Sequence, residues 1–372
     1  MSTVDSGEIR TPYLSKPLIN VWNSFQRFDI CPVGSTDYYS VKESGGEPDL
    51  VLQLGSPYEI RSDGEDDFKL FVFPFQSDTN VYLKSVEFVP GNRSRVHHAW
   101  MFEDTTGYFK TLDSLSPGYP FDFFNGNGFF PLPDELLRQN PNLAELRKRI
   151  SITDGGSAYT PGYTPKIYPA ASGKLLRKNT ALLVQIHYSG SGQIGDMDQS
   201  KLKLFFCKQP VRREVKQILI EQQHLISNPF LLRAGEIKKG TSRYEVTEDI
   251  SLINLSPHMH YRGTEFAAYS ISPRGKRTNL IGIPKWDFNW QGLYHFKKLQ
   301  KIEAGSSIFV EGVFDNTAEN PLNSVLPPVD VYWDFDSKSE MLGVFFEYLE
   351  YEYGDEEIRV DGDVLNPAHE IN

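Results

Sequence analysis

Short segments rich in β-branched and aromatic residues recur along most of this chain, and they restrict its fold more than any other feature. Each is bounded by Gly, Pro, Asn or Asp, which is typical of strands separated by turns. The predicted strands of the first half are 68–75, 81–89, 95–102, 182–188 and 201–206. Those of the second half are 215–221, 243–248, 265–271, 307–313 and 341–351. An aromatic content of 13% agrees with sheets rather than helix bundles. The pattern predicts an all-β protein built from sandwiches.

One segment breaks this pattern and predicts helix. Residues 133–150 carry leucines at helical spacing, and Pro141 divides the segment into two short helices. It belongs to an insertion over 116–150, between two strands, which we expect to shape the substrate face. The Pro- and Gly-rich residues 155–173 that follow are predicted to form a loop.

The length of 372 residues is enough for two domains, each with its own core. We predict an irregular N-terminal extension over 1–47, packed on the first domain, and a polar, acidic C-terminal tail over 356–372. Between them we predict a first β domain over 48–207 and a second over 208–355. The junction falls near 208–213, where Pro210 and three basic residues interrupt the strand pattern.

Charge and hydropathy exclude several function classes. The chain has 38 Lys+Arg against 49 Asp+Glu, a net charge of -11, and such an acidic protein is not expected to bind nucleic acid. No apolar run is long enough to predict a transmembrane segment. The N-terminus shows no signal peptide, so the chain is either cytoplasmic or the processed form of a periplasmic or secreted protein. The oligomeric state is not predicted.

Two cysteines, Cys31 and Cys207, are too few for a disulfide framework. They form a single bridge if the protein is exported, or they are two free buried thiols, and the second alternative is favoured.

Histidines are distributed unevenly, and their pattern points to a metal. The chain has 8 histidines. Five of them lie in three short patches, together with a methionine near the start of the last predicted strand; these residues are His97, His98, His187, His258, His260 and Met341. Imidazole nitrogens combined with a thioether sulfur suit copper, especially Cu(I), better than calcium or magnesium. We therefore expect redox chemistry.

The spacing of the histidines makes local predictions. His258 and His260 are two apart, so in a strand they share one face and Met259 points into the opposite layer. His97 and His98 are adjacent, so both reach one ion only if the strand is twisted or bulged. A single histidine on a strand, like a methionine, more often has a structural role. The assignment of His187 and Met341 as metal ligands therefore depends on the residues around them.

The histidine motifs, taken in order, resemble those of a known family. Val-His-His-Ala, Gln-Ile-His-Tyr, Pro-His-Met-His-Tyr-Arg-Gly and Glu-Met are similar to the copper type II, ascorbate-dependent monooxygenases, which include peptidylglycine α-hydroxylating monooxygenase and dopamine β-monooxygenase. Three connecting segments also resemble bacterial members: Val89-Pro-Gly-Asn, Trp286-Asp-Phe-Asn-Trp-Gln and Asp315-Asn-Thr-Ala-Glu-Asn-Pro-Leu-Asn. The resemblance covers 48–353.

The resemblance implies two tandem jelly-roll-like β-sandwich domains and two copper ions per chain. It implies that the electron-transfer copper is held by His97, His98 and His187. The copper that binds O2 and a small-molecule substrate would be held by His258, His260 and Met341, and these three are the implied catalytic residues. Gln185 matches a residue near the electron-transfer route. The implied reaction is hydroxylation of an unactivated C–H bond with ascorbate or another one-electron donor. It needs two electrons, and two copper sites would each store one.

The chain also departs from the family. Ser256 stands where the peptide hydroxylase has an arginine that grips the substrate carboxylate, and Phe345 stands where a tyrosine is expected. The family's disulfides cannot form from two cysteines. These differences predict a substrate other than a peptide ending in glycine.

Three alternatives stay open at this stage. The same copper pair could carry out a different oxidation, such as desaturation or cyclisation. The protein could bind or deliver copper without turnover. A zinc hydrolase also uses three histidines, but no Asp or Glu lies within the histidine patches to act as a general base.

Overall fold

The computed structural model describes residues 30–32, 46–115, 120–122, 124–125, 128–129, 134–148, 150, 152–160, 166–190, 192–226, 230–323, 325–334 and 337–360. Most of the predicted N-terminal extension, the C-terminal tail from residue 361 and parts of the 116–150 insertion lie outside these ranges.

Strands dominate the described residues and confirm the all-β expectation. In the first half the strands are β1 (Ile30–Pro32), β2 (Leu50–Gln53), β3 (Tyr58–Glu59), β4 (Asp67–Pro74), β5 (Val81–Val89), β6 (Val96–Asp104), β7 (Phe121–Asp122), β8 (Phe124–Asn125), β9 (Gly128–Phe129), β10 (Ile152–Tyr159), β11 (Lys166–Ile167), β12 (Ser172–Leu176), β13 (Ala181–Tyr188), β14 (Met197–Asp198) and β15 (Lys201–Phe206). In the second half they are β16 (Arg213–Glu214), β17 (Lys216–Ile220), β18 (Leu231–Leu232), β19 (Ile237–Glu245), β20 (Ile250–His258), β21 (Gly263–Ile271), β22 (Arg277–Ile283), β23 (Tyr294–Ile302), β24 (Ser307–Asp315), β25 (Val331–Tyr332) and β26 (Gly343–Glu350).

The described helices are short. They are α1 (Tyr108–Leu115), α2 (Asp134–Gln139) and α3 (Pro141–Arg147), with single 3₁₀ turns at Gln222–His224 and Asp355–Glu357. The predicted break in the helical insertion is confirmed, because α2 ends just before Asn140 and α3 begins with Pro141. Pro is favoured at the first helical position, where its missing N–H has no partner to lose.

Two sheets of the first half, antiparallel except for the short β12–β16 pair, enclose one core. Their strand orders are β10-β6-β13-β4-β7 and β16-β12-β5-β15-β2. Alternate residues of β13, among them Val184 and Ile186, pack with Leu83 of β5 and Leu202 of β15. The opposite face of β13 also buries Leu183, against Phe109 and Leu112 of α1. Both faces of β13 are therefore covered, and His187 lies on the face where the helices pack.

The second half repeats this arrangement. Its two main sheets have the orders β1-β23-β20-β26-β17 and β19-β24-β21-β22. One core cluster contains side chains from both, such as Leu255 of β20, Phe346 of β26, Phe266 of β21 and Val310 of β24. The two largest clusters thus divide the chain between residues 204 and 218. The predicted domain limits and the jelly-roll connectivity remain predictions.

Two local expectations are wrong. Ile30–Pro32, one described part of the N-terminal extension, pairs with β23 of the second half, whereas the sequence predicted packing on the first domain. Residues 155–159 belong to β10 and pair with β6, because β6 offers a sheet edge that a loop would leave unpaired.

Two further observations concern the membrane and disulfide expectations. Within the ranges described here, no helix is both long enough and apolar enough to cross a membrane. Cys207 is a half-buried free thiol, with its sulfur 3.6 Å from the carbonyl oxygen of Ser172. The side chain of Cys31 lies outside the described residues.

The two halves contact each other close to the histidine-bearing strands. The hydroxyl of Ser337 donates a hydrogen bond to Asp66 at 3.0 Å, and Lys338 forms an ion pair with Glu65 at 2.7 Å. Elsewhere, the hydroxyl of Tyr168 donates to buried Glu347 at 3.1 Å. The C-terminal end of β13, which carries His187, therefore lies next to the second half.

Candidate metal centre

A β-bulge brings His97 and His98 to the same place. In the β6–β13 ladder His98 lies opposite His187, whereas the next residue of β13, Tyr188, lies opposite Val96. His97 is therefore an extra residue in β6, which is the arrangement of a bulge. The Nδ1 atoms of His97 and His98 are 3.2 Å apart. The expectation that adjacent histidines need a bulge to converge is confirmed.

His187 completes a cluster of three imidazoles. Its ring centroid lies 5.0 Å from that of His97 and 4.8 Å from that of His98. One ligand nitrogen from each ring can be chosen so that all lie within 4.8 Å of one another. Two nitrogens bound tetrahedrally to one ion at 2.0–2.1 Å are separated by about 3.3 Å, close to the spacing of the two Nδ1 atoms. These three histidines, the first cluster below, could hold a metal ion.

The nitrogens of the first cluster fit a metal better than they fit a closed hydrogen-bond network. Nε2 of His97 and both ring nitrogens of His187 are buried and have no aligned hydrogen-bond partner. Leaving a buried polar atom unsatisfied costs about 1–3 kcal/mol. Coordination of an ion through Nδ1 of His187 would remove part of that cost. Aromatic rings hold the imidazoles in place: Phe68 stacks on His187 at 4.1 Å, and Phe288 stacks on His97 at 4.9 Å.

His258 and His260 form a second cluster at the end of β20. Their ring centroids are 5.1 Å apart, with the planes nearly perpendicular. Met259, between them, is fully buried in the core of the second half, so the predicted alternation of faces is confirmed. The strand itself ends at His258, and His260 is part of the following loop.

Hydrogen bonds fix which nitrogen of each ring is free in this second cluster. Nδ1 of His258 lies 2.5 Å from Oε1 of Gln291, and Nδ1 of His260 lies 3.2 Å from the carbonyl oxygen of Ser339. Both oxygens are acceptors, so each Nδ1 carries the proton and each Nε2 keeps its lone pair. This is how neighbouring groups select the ligating nitrogen of metal-binding histidines.

Glu340 joins Met341 to this cluster. Its carboxylate, inaccessible to solvent, accepts hydrogen bonds from the backbone N–H groups of His260 at 3.0 Å, Arg262 at 2.7 Å and Met341 at 3.1 Å. In the β20–β26 ladder His258 lies opposite Gly343, so Met341 precedes the strand and falls alongside His260. The sequence placed Met341 in the strand itself. Its role as a ligand stays a prediction.

The two clusters are neighbours, which the sequence did not predict. The rings of His98 and His258 are 6.4 Å apart. Trp100 of β6 lies 5.8 Å from His258 and 4.4 Å from Phe345, so an aromatic contact crosses between the halves beside the histidines. Five histidines from three distant segments thus form one continuous group.

Burial favours the neutral imidazole in four of these histidines, His97, His98, His258 and His260. It lowers the pKa of both His97 and His258 to about 4, in the second case despite the hydrogen bond with Gln291. The pKa values of His98 and His260 also lie well below the usual histidine value, mainly through burial and secondarily through other histidines. A neutral imidazole has the lone pair that a metal requires.

Gln185 lies beside the first cluster. It is buried and shares the β13 face of His187, and in the ladder it lies opposite Trp100. Its amide nitrogen has no hydrogen-bond partner among the described residues. The predicted role of Gln185 near an electron-transfer route stays a prediction.

Sequence reasoning missed three residues that support the histidines. Gln291 and Phe288 lie in the 286–291 segment, which was quoted for the resemblance but given no role. Asp66 lies directly before β4, and its Oδ2 is 3.1 Å from Nε2 of His187. Burial raises the pKa of Asp66, but His187, Ser337 and the N–H of Gly190 outweigh burial and lower it to about 2. An acidic residue therefore does lie beside a histidine patch in space, although not in sequence.

Residues at the predicted substrate positions are uncharged. Ser256 is buried and lies opposite Phe345 in the β20–β26 ladder. Arg262, the candidate for a rebuilt carboxylate clamp, is inaccessible to solvent; its Nε donates to Asn316 at 3.0 Å and its Nη1 donates to the carbonyl oxygen of Lys338 at 2.6 Å. These hydrogen bonds give Arg262 a structural role.

Comparison with known proteins does not place the chain in a family. No protein-family profile matches it, and no curated protein matches it. Among solved structures, it is similar to that of the infectious bursal disease virus Gt strain, with 10% identity over 84% of this chain and 75% of that chain and a TM-score of 0.20. The VP2 subviral particle of the same virus gives 9% identity, coverage of 86% and 75%, and a TM-score of 0.20. Scores this low support no conclusion about fold or function.

Proposed function

We propose that this protein is a copper-dependent monooxygenase that hydroxylates an unactivated C–H bond of a small molecule, using O2 and an external one-electron donor such as ascorbate. The observation that carries the proposal is the convergence of five histidines, four of them buried, from three separate segments into two adjacent clusters. The resemblance of the histidine motifs to the copper type II monooxygenases supports the same assignment.

The proposal assigns one ion to each cluster. In the first, His97 and His98 would bind through the converging Nδ1 atoms, together with His187. In the second, His258 and His260 would bind through the free Nε2 atoms, together with the sulfur of Met341. Soft sulfur and neutral nitrogen ligands suit copper. Bound copper would supply the one-electron redox steps and the activation of O2.

The protein's own side chains prepare the site. Gln291 and Ser339 orient the second-cluster imidazoles, and Glu340 fixes the backbone on which His260 and Met341 lie. Phe68 and Phe288 cover the faces of the first-cluster rings and keep water away from them. Such preorganisation means that the ligands need little rearrangement when the metal changes its oxidation state.

We also propose that the two sheet pairs are jelly-roll-like sandwiches. In each half two mainly antiparallel sheets share a single core, and strands that are neighbours in space are rarely consecutive in sequence, as in β20 between β23 and β26. Such an order is typical of Greek-key connections.

For the substrate we propose a neutral, preferably aromatic molecule. Trp100, which is half-buried, contacts His258, while Ser256 and Phe345 pair on the adjoining strands, and all three are uncharged. Two of the three guanidinium nitrogens of Arg262 already donate hydrogen bonds within the protein. An aromatic substrate could pack against Trp100 and Phe345, whose rings lie nearly perpendicular to each other.

The test combines metal content with oxygen chemistry. Copper-loaded protein should bind two ions per chain, consume O2 when ascorbate and a substrate are present, and transfer ¹⁸O from labelled O2 into the product. O2 consumption without ¹⁸O in the product would indicate desaturation or cyclisation. Tight copper binding without O2 consumption for any compound tested would indicate a copper-binding protein. Hydrolysis by the zinc-loaded form alone would contradict the redox proposal.

A further inference from the structure

Asp66 is placed between the first cluster and the second half of the chain. Its Oδ2 lies 3.1 Å from Nε2 of His187 and also accepts a hydrogen bond from the hydroxyl of Ser337 at 3.0 Å. Its Oδ1 accepts the backbone N–H of Gly190 at 3.3 Å. These contacts hold the carboxylate against the outer edge of the His187 ring.

The same carboxylate is not a member of the ligand group itself. Among the described residues, the set whose ligand atoms all lie within 4.8 Å consists of His97, His98 and His187, without Asp66. A carboxylate that accepts the second N–H of a ligating imidazole fixes its tautomer and its orientation and increases its basicity. Nε2 of His187 has no other acceptor in the described structure, and the 3.1 Å separation suits this contact after a small ring rotation.

The segment over 337–341 continues from Asp66 to the second cluster. After Ser337, the carbonyl oxygen of Lys338 accepts a hydrogen bond from Arg262. The carbonyl oxygen of Ser339 meets Nδ1 of His260 at 3.2 Å, and Glu340 holds the backbone of His260. Five consecutive residues thus connect the partner of His187 to the histidine and the methionine of the other cluster.

We propose that Asp66 is a positioning residue that orients His187 from outside the metal cluster, and that the Asp66–Ser337 hydrogen bond couples the two metal sites through the 337–341 segment. This inference rests on the metal-binding part of the proposed function and does not require the monooxygenase reaction. Filling the first cluster holds His187 and Asp66 in one arrangement, and Ser337 passes that constraint to His260 and Met341.

The neighbouring side chains provide matched variants. Asp66→Asn keeps the size of the side chain but removes the charge, and Asp66→Ala removes the acceptor. Ser337→Ala keeps the contact between Asp66 and His187 but cuts the link to the second half. Glu65→Gln is the control. It removes the exposed ion pair between Glu65 and Lys338, which are the sequence neighbours of Asp66 and Ser337, and it leaves His187 unchanged. Thermal unfolding of each variant checks that it folds.

The first readout needs no metal. Long-range ¹H–¹⁵N spectra of the full-length apoprotein should show His187 with its proton on Nε2, in the wild type and in Glu65→Gln. In Asp66→Ala this preference should be lost. A wild-type His187 protonated on Nδ1 would overturn the proposal, whatever reaction the protein catalyses.

The second readout is affinity for copper alone, measured against a competing chelator. In a His258→Ala background, which isolates the first cluster, Asp66→Asn should weaken binding about 10- to 100-fold. Ser337→Ala and Glu65→Gln should leave that affinity close to wild type. An Asp66→Asn affinity equal to that of Glu65→Gln would contradict the positioning role.

The third readout is the coupling between the sites. In otherwise wild-type protein, copper in the first cluster should change the affinity of the second about fivefold or more. Ser337→Ala should remove most of this change, and Glu65→Gln should not. If Ser337→Ala retains the full coupling, the 337–341 segment is not the connection. If these three readouts come out as expected but the copper-loaded wild-type protein hydroxylates no compound, only the proposed function is refuted.

Discussion

The two histidine clusters are built in different ways, and the difference shows what each can tolerate. The first lies within a sheet: His98 and His187 are cross-strand neighbours, and a bulge adds His97. The second lies where β20 ends, and its geometry depends on side chains from other segments, namely Gln291 and Glu340. Sheet pairing therefore positions the first cluster, whereas a few specific hydrogen bonds position the second. We expect the second to be the more adjustable, which fits its proposed role as the site for O2 and a substrate.

The largest expected effect is the loss of one metal ion from either cluster. His97→Ala, His98→Ala or His187→Ala should reduce bound copper from two ions per chain to about one, and so should His258→Ala or His260→Ala, because each change removes a ligand from only one cluster. Metal analysis after removal of loosely bound copper measures this ratio. His224→Ala, outside both clusters, is the control. If the protein binds a single ion and changes in the first cluster do not affect it, the first cluster is not a metal site.

The next largest effect is expected on O2 consumption, and it concerns the second cluster alone. Met341→Ala or Met341→His should leave the fold intact but abolish ascorbate-driven O2 consumption, because the soft ligand that favours Cu(I) is lost. Met259→Leu is the matched control, since Met259 lies between His258 and His260 in the sequence, yet its side chain is part of the core and points away from the site. Near-native O2 consumption in the Met341 variants would show that this methionine is core filler as well.

The stability of the metal-free protein should depend on pH through both clusters. His97 and His258 have folded-state pKa values of about 4, below the ordinary value of 6.5, because they are buried. Between these values the unfolded chain binds protons that the folded chain does not, so stability falls as pH decreases from 6.5 towards 4. Each histidine contributes about 1.4 kcal/mol per pH unit in this window.

Urea unfolding at pH 7 and pH 5 measures this dependence, and His97→Ala and His258→Ala should each make it shallower. A slope that responds to His258→Ala but not to His97→Ala would show that only the second cluster is buried in solution.

Some features of the two clusters and of the fold could be predicted from the sequence, and others could not. The bulge at His97, the inward direction of Met259 and the break before Pro141 follow from spacing and local geometry, and the structure confirms them. The contact between His98 and His258 joins residues 160 positions apart, and no local pattern reports it. Asp66 was missed for the same reason, because it becomes a neighbour of His187 only when β4 pairs with β13.

The smallest expected effect is on substrate choice. With Ser256 and Phe345 near His258 and no free cation identified beside them in the described structure, a peptide ending in glycine should be a poor substrate compared with neutral aromatic molecules. Competition between such a peptide and an aromatic panel measures the preference. Trp100→Ala should weaken binding of the preferred aromatic by about 0.5–1.5 kcal/mol beyond its lost area, as for other aromatic pairs. Faster hydroxylation of the peptide would reveal a carboxylate clamp formed by other residues.

We propose two separate metal sites that lie next to each other, and the electron paramagnetic resonance spectrum of the fully Cu(II)-loaded protein should show both. Because the rings of His98 and His258 are only 6.4 Å apart, the two ions should interact magnetically. The wild-type spectrum should then be broader and weaker than the sum of the spectra of His98→Ala, with the second cluster filled, and His258→Ala, with the first filled. A wild-type spectrum equal to that sum, or one that shows a single copper, would mean that the protein does not hold two adjacent copper ions.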